Sequence, residues 1–115
     1  MAEKTIFEKI IDREIPADIV SEGSHYLAFR DINPQAPVHV LVIPKARVRG
    51  MDEIHQLEPE MLHGFMSGIR ETARELGLED SGFRVVFNTG KDAQQTVDYL
   101  HAHILGGRAM SWPPG

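Results

Sequence analysis

The chain contains no cysteine. Disulfide scaffolds, thiolate metal sites and cysteine nucleophiles are therefore excluded, and the composition suits a reducing compartment. No apolar run approaches the ~18 residues of a membrane span. Positive charge is not in excess: twelve Lys and Arg stand against seventeen Asp and Glu, a net charge of −5. General attraction to nucleic acid needs a basic patch, so that partner class is set aside. Any phosphate would have to be held locally, by backbone N–H groups, hydroxyls and histidines. Internal repeats and low-complexity tracts are absent. The polar start, Met1 to Thr5, does not resemble a signal peptide. These absences lead us to expect a cytoplasmic protein with no membrane or nucleic-acid partner.

What is present reads as one domain over residues 1–115, with 42% hydrophobic and 25% charged residues, ordinary globular usage. Ile6, Phe7, Ile10 and Ile11 recur at helical spacing behind a candidate N-cap, Thr5. Ile15-Pro16 breaks that helix. Ile19–Glu22 and Tyr26–Arg30 read as a hairpin around Gly23-Ser24. Asp31 to Pro37 is a loop. Val38–Ile43 is β-branched and apolar almost throughout, so it reads as a central strand ended by Pro44. Residues 58–76 predict the long helix. Met61, Leu62, Phe65, Met66, Ile69, Ala73 and Leu76 form its stripe, and Gly77 is its stop. Gly64 and Gly68 on that helix predict a close approach by another element or a second subunit. Phe83–Asn88 and Tyr99–Leu105 complete the strands. The order α-β-β-β-α-β-β makes the fold class α+β.

Three of the six histidines stand out. His101 and His103 are two apart on a predicted strand, so their rings share one face, with Tyr99 and Leu105 beside them. Leu100, Ala102 and Ile104 take the core face. Imidazoles on an otherwise apolar strand need hydrogen-bond partners or a function. Spacing alone leaves three readings open: a functional site, a structural network, or a tri-histidine zinc site completed by His39. His25, His55 and His63 are assigned to solvent.

The run Tyr99-Leu100-His101-Ala102-His103-Ile104-Leu105-Gly106-Gly107-Arg108 resembles the histidine-triad signature, in which histidines alternate with apolar residues. Thr5–Ile11, Glu14-Ile15-Pro16, Phe29–Ile32, Asn33–His39, Val42–Lys45 and Trp112-Pro113-Pro114-Gly115 extend the resemblance over nearly the whole chain. It is similar to the HINT branch of the histidine triad (HIT) superfamily. Tyr99 stands where the pattern has its first histidine, and Asp98 where an aromatic residue is common.

The resemblance implies a HIT-like fold. That means a five-stranded antiparallel sheet, a short N-terminal helix and one long helix, in a two-fold homodimer with a continuous ten-stranded sheet. It implies a purine nucleoside phosphoramidase, a hydrolase acting on phosphorus–nitrogen bonds, with no metal or other cofactor and an AMP- or GMP-like substrate. His101 would be the nucleophile, forming a nucleotidyl-histidine that water hydrolyses. The backbone carbonyl of Tyr99 would hold one nitrogen of its ring as N–H. His103 and Thr96 would contact phosphate, Gln95 would complete that cradle, and His39 would hydrogen-bond behind the pair. Asn88 would orient phosphate or ribose, and Asp31 would take the ribose hydroxyls. Ile6, Phe7, Ile10, Ile15 and Ile32 would form the purine slot. Trp112 would reach toward the partner subunit's site. Alternatives are dinucleoside polyphosphate hydrolysis or nucleotidyl transfer within the superfamily, and a nucleotide-binding module weakened by Tyr99.

Overall fold

Thr5 begins the first helix, α1 (Ile6–Ile11), through a reciprocal cap. Its hydroxyl accepts the Glu8 N–H at 3.3 Å, and the Glu8 carboxylate accepts the Thr5 N–H at 2.8 Å. Two otherwise unpaired donors are thereby satisfied. Arg47 adds an ion pair to Glu8 at 3.0 Å, tying the helix to the sheet. The structure, a computed structural model, describes residues 3–115; Met1 and Ala2, part of the polar start, lie outside the described residues.

Strands β1 (Ile19–Glu22) and β2 (Tyr26–Arg30) form the expected hairpin, closed by the Gly23 N–H on the Tyr26 carbonyl at 3.0 Å. Strand β3 (Val38–Pro44) follows, and helix α2 (Pro59–Glu75) starts on a proline, where the missing N–H goes unnoticed. Strands β4 (Arg84–Val86) and β5 (Ala102–Gly106) complete an antiparallel sheet in the order β1-β2-β3-β5-β4. This is the α+β architecture expected from the sequence.

Alternation divides the sheet's side chains between two layers. Ala28, Val40, Val42, Ala102 and Ile104 pack under Phe65, Ile69 and Ala73 of α2. Leu27, Phe29, Leu41 and Ile43 pack on the opposite face with Phe7, Ile10 and Tyr99. Strand β3 is covered on both faces, which is why it reads as a nearly unbroken apolar run. Its single polar residue, His39, lies on the α1 side.

The close approach at α2 is made within the chain. A Cβ on Gly68 would lie 2.3 Å from the Tyr26 ring, and one on Gly64 would lie 2.5 Å from His25. His25 is therefore half-buried over α2 instead of free in solvent, whereas His55 and His63 are exposed as expected. Met66, placed on the stripe by the sequence reading, is 48% exposed; it is one step around the helix from Phe65. Thr72 is fully buried instead, its hydroxyl donating to the Gly68 carbonyl at 2.7 Å. Gly68→Ala is expected to destabilise the protein by about 2 kcal/mol, because overpacking against a ring outweighs the gain in helix propensity of ~1 kcal/mol. Urea unfolding checks this, and an unchanged midpoint would show that Tyr26 moves aside freely.

Two strands are shorter than expected. The β3–β5 ladder ends at Val42 opposite Ala102. Upstream, the Leu100 N–H donates to the Val48 carbonyl at 2.8 Å, so residues 99–101 leave the sheet to meet the segment after β3. The side-chain alternation nonetheless persists: Leu100 joins the α2 layer and Tyr99 the α1 layer. Strand β4 pairs only with His103, Ile104 and Leu105, so Phe83, Phe87 and Asn88 fall outside it. A 3₁₀ turn at Met51–Gln56, which carries no apolar periodicity, was not foreseen. Among the described residues no helix is long and apolar enough to cross a membrane.

Candidate active site

The register brings His39 and His103 together. His39 lies opposite Leu105, and Leu41 lies opposite His103, so the two histidines are diagonal neighbours on the α1 face. His39 Nε2 is 2.9 Å from His103 Nδ1. Asp31, just beyond β2, donates its N–H to the His39 carbonyl at 3.0 Å. Its Oδ1 accepts the Asn33 N–H at 2.8 Å, and its Oδ2 is 3.4 Å from His39 Nε2. The turn-forming role of Asp31 therefore occupies one carboxylate oxygen. On the far side of the ring, His39 Nδ1 accepts the Gln35 N–H at 3.0 Å.

His101 is held differently. Its Nδ1 donates to the Tyr99 carbonyl at 2.6 Å, and Phe7 meets its ring edge-on at a centroid distance of 5.0 Å. With the proton on Nδ1, the lone pair is on Nε2, which has no hydrogen-bond partner among the described residues. Tyr99 can occupy this position because its carbonyl does the holding. Its side chain turns into the core, packs against Phe7 and donates its hydroxyl to the Pro44 carbonyl.

All three imidazoles are pushed toward neutrality. Burial lowers His101, opposed by the Tyr99 carbonyl and the Asp31 charge. Burial also lowers His39, again opposed by Asp31. His103 is pushed down to about 4, first by burial and then by repulsion from His101 and His39. Burial raises the Tyr99 hydroxyl, keeping it protonated.

These groups border a cavity of about 640 Å³. Ile6, Phe7 and Ile10 of α1 form one wall, with Ile15 behind them. Asp31 and Ile32 form the rim beyond β2, and Thr96, His101 and His103 close the inner end. Ile32 is fully exposed and Ile6 half-exposed at the mouth. His39 lies behind this wall and is buried.

The structure does not bring Asn88, Gln95 or Trp112 to the cavity. Gln95 is saturated elsewhere: Nε2 donates to the Arg49 and Val97 carbonyls at 2.7 and 3.0 Å, and Oε1 accepts the Gly90 N–H at 2.9 Å. It shapes the loop that carries Thr96. Asn88 is half-buried past the end of β4 and is not among the cavity walls. Trp112 is 81% exposed and lies over the Arg84 guanidinium at 5.8 Å, along β4. Phe29, Leu41 and Val97 line the cavity without having been singled out. Phe29 and Leu41 were legible from strand alternation, whereas nothing in the local pattern marks Val97.

The tri-histidine metal reading does not match this assembly, because His101 is not among the donors that converge in the described residues. The donors that converge are Asp31, His39 and His103, within 4.8 Å of one another. His39 does not fit a cation as arranged. Its Nδ1 accepts a hydrogen bond, so the ring's one proton is on Nε2, where a metal would need a lone pair.

A family model described as HIT domain matches residues 12–110. The chain belongs to the HIT domain family. It is 48% identical over 113 residues to a 14 kDa zinc-binding protein of Zea mays, covering 96% of this chain and 88% of that one. It is 44% identical over 113 residues to Adenylylsulfatase HINT1 of Arabidopsis thaliana, covering 96% of this chain and 76% of that one. Among solved structures, a HIT family hydrolase from Legionella pneumophila Philadelphia 1 superposes with a TM-score of 0.90 at 42% identity, covering 97% of this chain and 100% of that one. The five-stranded sheet with one short and one long helix is thus the fold this HIT protein shares with its relatives.

Proposed function

We propose that the protein is a hydrolase that transfers a nucleotidyl group to His101 and then to water, with nucleoside 5′-phosphoramidates of purines as substrates. The observation that carries this reading is the His101 ring, anchored through Nδ1 to the Tyr99 carbonyl, bordering an apolar cavity beside His103. An imidazole so held has its nucleophilic nitrogen pre-aimed, and phosphoryl transfer depends mainly on such positioning.

In this reading His101 Nε2 attacks the α-phosphorus, the phosphorus–nitrogen bond breaks, and the amine leaves with a proton from solvent. Water then releases the nucleoside monophosphate and regenerates the ring. His103 Nε2 is buried and has no partner among the described residues; as an N–H donor it would take a phosphate oxygen, with Thr96 beside it. Asp31 would hold ribose hydroxyls through its less engaged oxygen. Ile6, Phe7, Ile10, Ile15 and Ile32 would sandwich the base, covering apolar surface now exposed at the mouth. Asn88, Gln95 and Trp112 would act less directly. Gln95 would shape the Thr96 loop. Phe83 and Val85, exposed along β4 with Trp112, would join two copies into a ten-stranded homodimer, with Trp112 reaching the partner's site.

The adenylylsulfatase name of the Arabidopsis relative favours a second reading, the same nucleotidyl group with an oxygen leaving group. A substrate panel in the presence of a chelator decides between them. Adenosine 5′-phosphoramidate is expected to give AMP faster than adenosine 5′-phosphosulfate or a diadenosine polyphosphate. AMP from only the latter two would move the activity to the second reading. No AMP from any of them would leave a nucleotide-binding module.

A further inference from the structure

We infer that the backbone amide of Gln35, pinned by Arg108, is a tautomer lock that fixes the proton order of the His39–His103 pair and keeps divalent cations from the Asp31–His39–His103 cluster. A neutral imidazole has one N–H and one lone pair. The Gln35 N–H at 3.0 Å demands the lone pair at His39 Nδ1. The proton is then on Nε2, directed at His103 Nδ1 at 2.9 Å, with Asp31 Oδ2 at 3.4 Å beside it. His103 must accept at Nδ1, so its own proton is on Nε2, the buried atom without a partner among the described residues. The reverse order would set the His39 Nδ1–H against the Gln35 N–H. It would also leave a lone pair on His103 Nε2, facing any anion with the wrong sign.

The same contact decides the cation question. Asp31, His39 and His103 offer ligand atoms within 4.8 Å of one another. Ligation by His39 Nε2 requires its lone pair there, hence a proton on Nδ1, against the Gln35 N–H. A cation therefore enters only after the Gln35 amide has turned away.

Arg108 holds Gln35 from the other side. Its Nη2 donates to the Gln35 carbonyl at 3.1 Å. Gly107 stands at φ +87°, and a Cβ there would lie 2.9 Å from Pro37, so the end of β5 is pressed against this loop. The strand that carries His103 thus also anchors the loop that orders its proton. Arg108 and Gln35 are positioning residues. Only the assignment of His103 Nε2–H to a phosphate oxygen rests on the proposed function; the tautomers are readable without substrate.

The test is long-range ¹H–¹⁵N correlation on histidine-labelled protein, alone and with equimolar Zn(II). In the wild type, His39 and His103 are expected as Nε2–H tautomers, unchanged by Zn(II). In Arg108→Ala, His39 is expected to become a mixture of both tautomers and its resonances to respond to Zn(II), while Arg108→Lys retains the wild-type pattern. Gln35→Pro deletes the N–H itself and should give the larger shift; should it fail to fold, Arg108→Ala, altered only at an exposed side chain, still decides. A wild-type His39 found as Nδ1–H, or wild-type loss of its Nε2 proton to Zn(II), overturns the lock. Unchanged tautomers in Arg108→Ala overturn the part given to Arg108. Expected tautomers in a protein that turns over no nucleotide would sink the proposed function and leave the lock standing.

Discussion

His101→Ala is expected to lower turnover of a nucleoside 5′-phosphoramidate by about 10³-fold or more, while AMP still binds. Loss of a covalent nucleophile removes both half-reactions, so no partial route replaces it. Binding survives because most of the cavity wall comes from α1, the segment 15–18 after it, and β2 with its rim, none of which depends on this ring. The variant leaves a gap beside Phe7, whose edge contacts the imidazole at 5.0 Å. A circular dichroism melt must therefore accompany the kinetics. Mass spectrometry of acid-quenched wild-type reactions should show a nucleotidyl adduct that the variant lacks. Turnover within about tenfold of wild type, in a folded variant, would move the chemistry to another residue.

Acidification from pH 6.5 toward 4 is expected to destabilise the fold through its buried histidines. His103 titrates from 6.5 when unfolded but near 4 when folded, and burial lowers His101 and His39 as well. Between those values the unfolded chain binds more protons than the native state, so stability rises with pH. The contribution is complete above about pH 6.5 and is lost as pH falls toward 4. At ~1.4 kcal/mol per pH unit, His103 alone accounts for about 3 kcal/mol over that window. Urea unfolding at pH 7, 6 and 5 measures the slope. That range avoids Glu22, whose carboxyl Lys45 and Arg13 hold below its ordinary value and which matters only at lower pH. His103→Asn should flatten the profile relative to wild type, and equal slopes would show that folding does not lower the titration of His103.

Much of this fold could be read along the chain because its rules are local. Thr5 and Glu8 cap α1 by a spacing visible in four residues. The period-two pattern of β2 and β3, and the helical stripe of α2, each name their buried face without knowledge of the partner. Even where residues 99–101 leave the ladder, the alternation of Tyr99, Leu100 and His101 still assigns each side chain to the correct layer. The shortened strands were not legible, since where two strands part is decided by the chain around them. β4 stops at Val86 opposite His103, although β5 itself extends to Ala102.

The site divides in the same way. The pairing of His101 with the Tyr99 carbonyl is a contact two residues long, so the carbonyl was legible from sequence at a position where any residue supplies one, and its alignment is what the structure adds. Gln95 could not be placed. Its amide reads as a phosphate ligand, but three backbone groups claim it first, two in its own loop and one at Arg49 in a distant segment. The neighbour of Gly68 was equally hidden, since a small residue announces a contact without naming it.

By itself, then, the order of residues determined which side chains face which layer. That follows from periodicities spanning only a few residues. Only the tertiary structure decided where the imidazole protons reside. That depends on Gln35, His39, His103 and Arg108, drawn from a loop, two strands and the tail, and a proton's position on a ring is set by whichever donor reaches its other nitrogen.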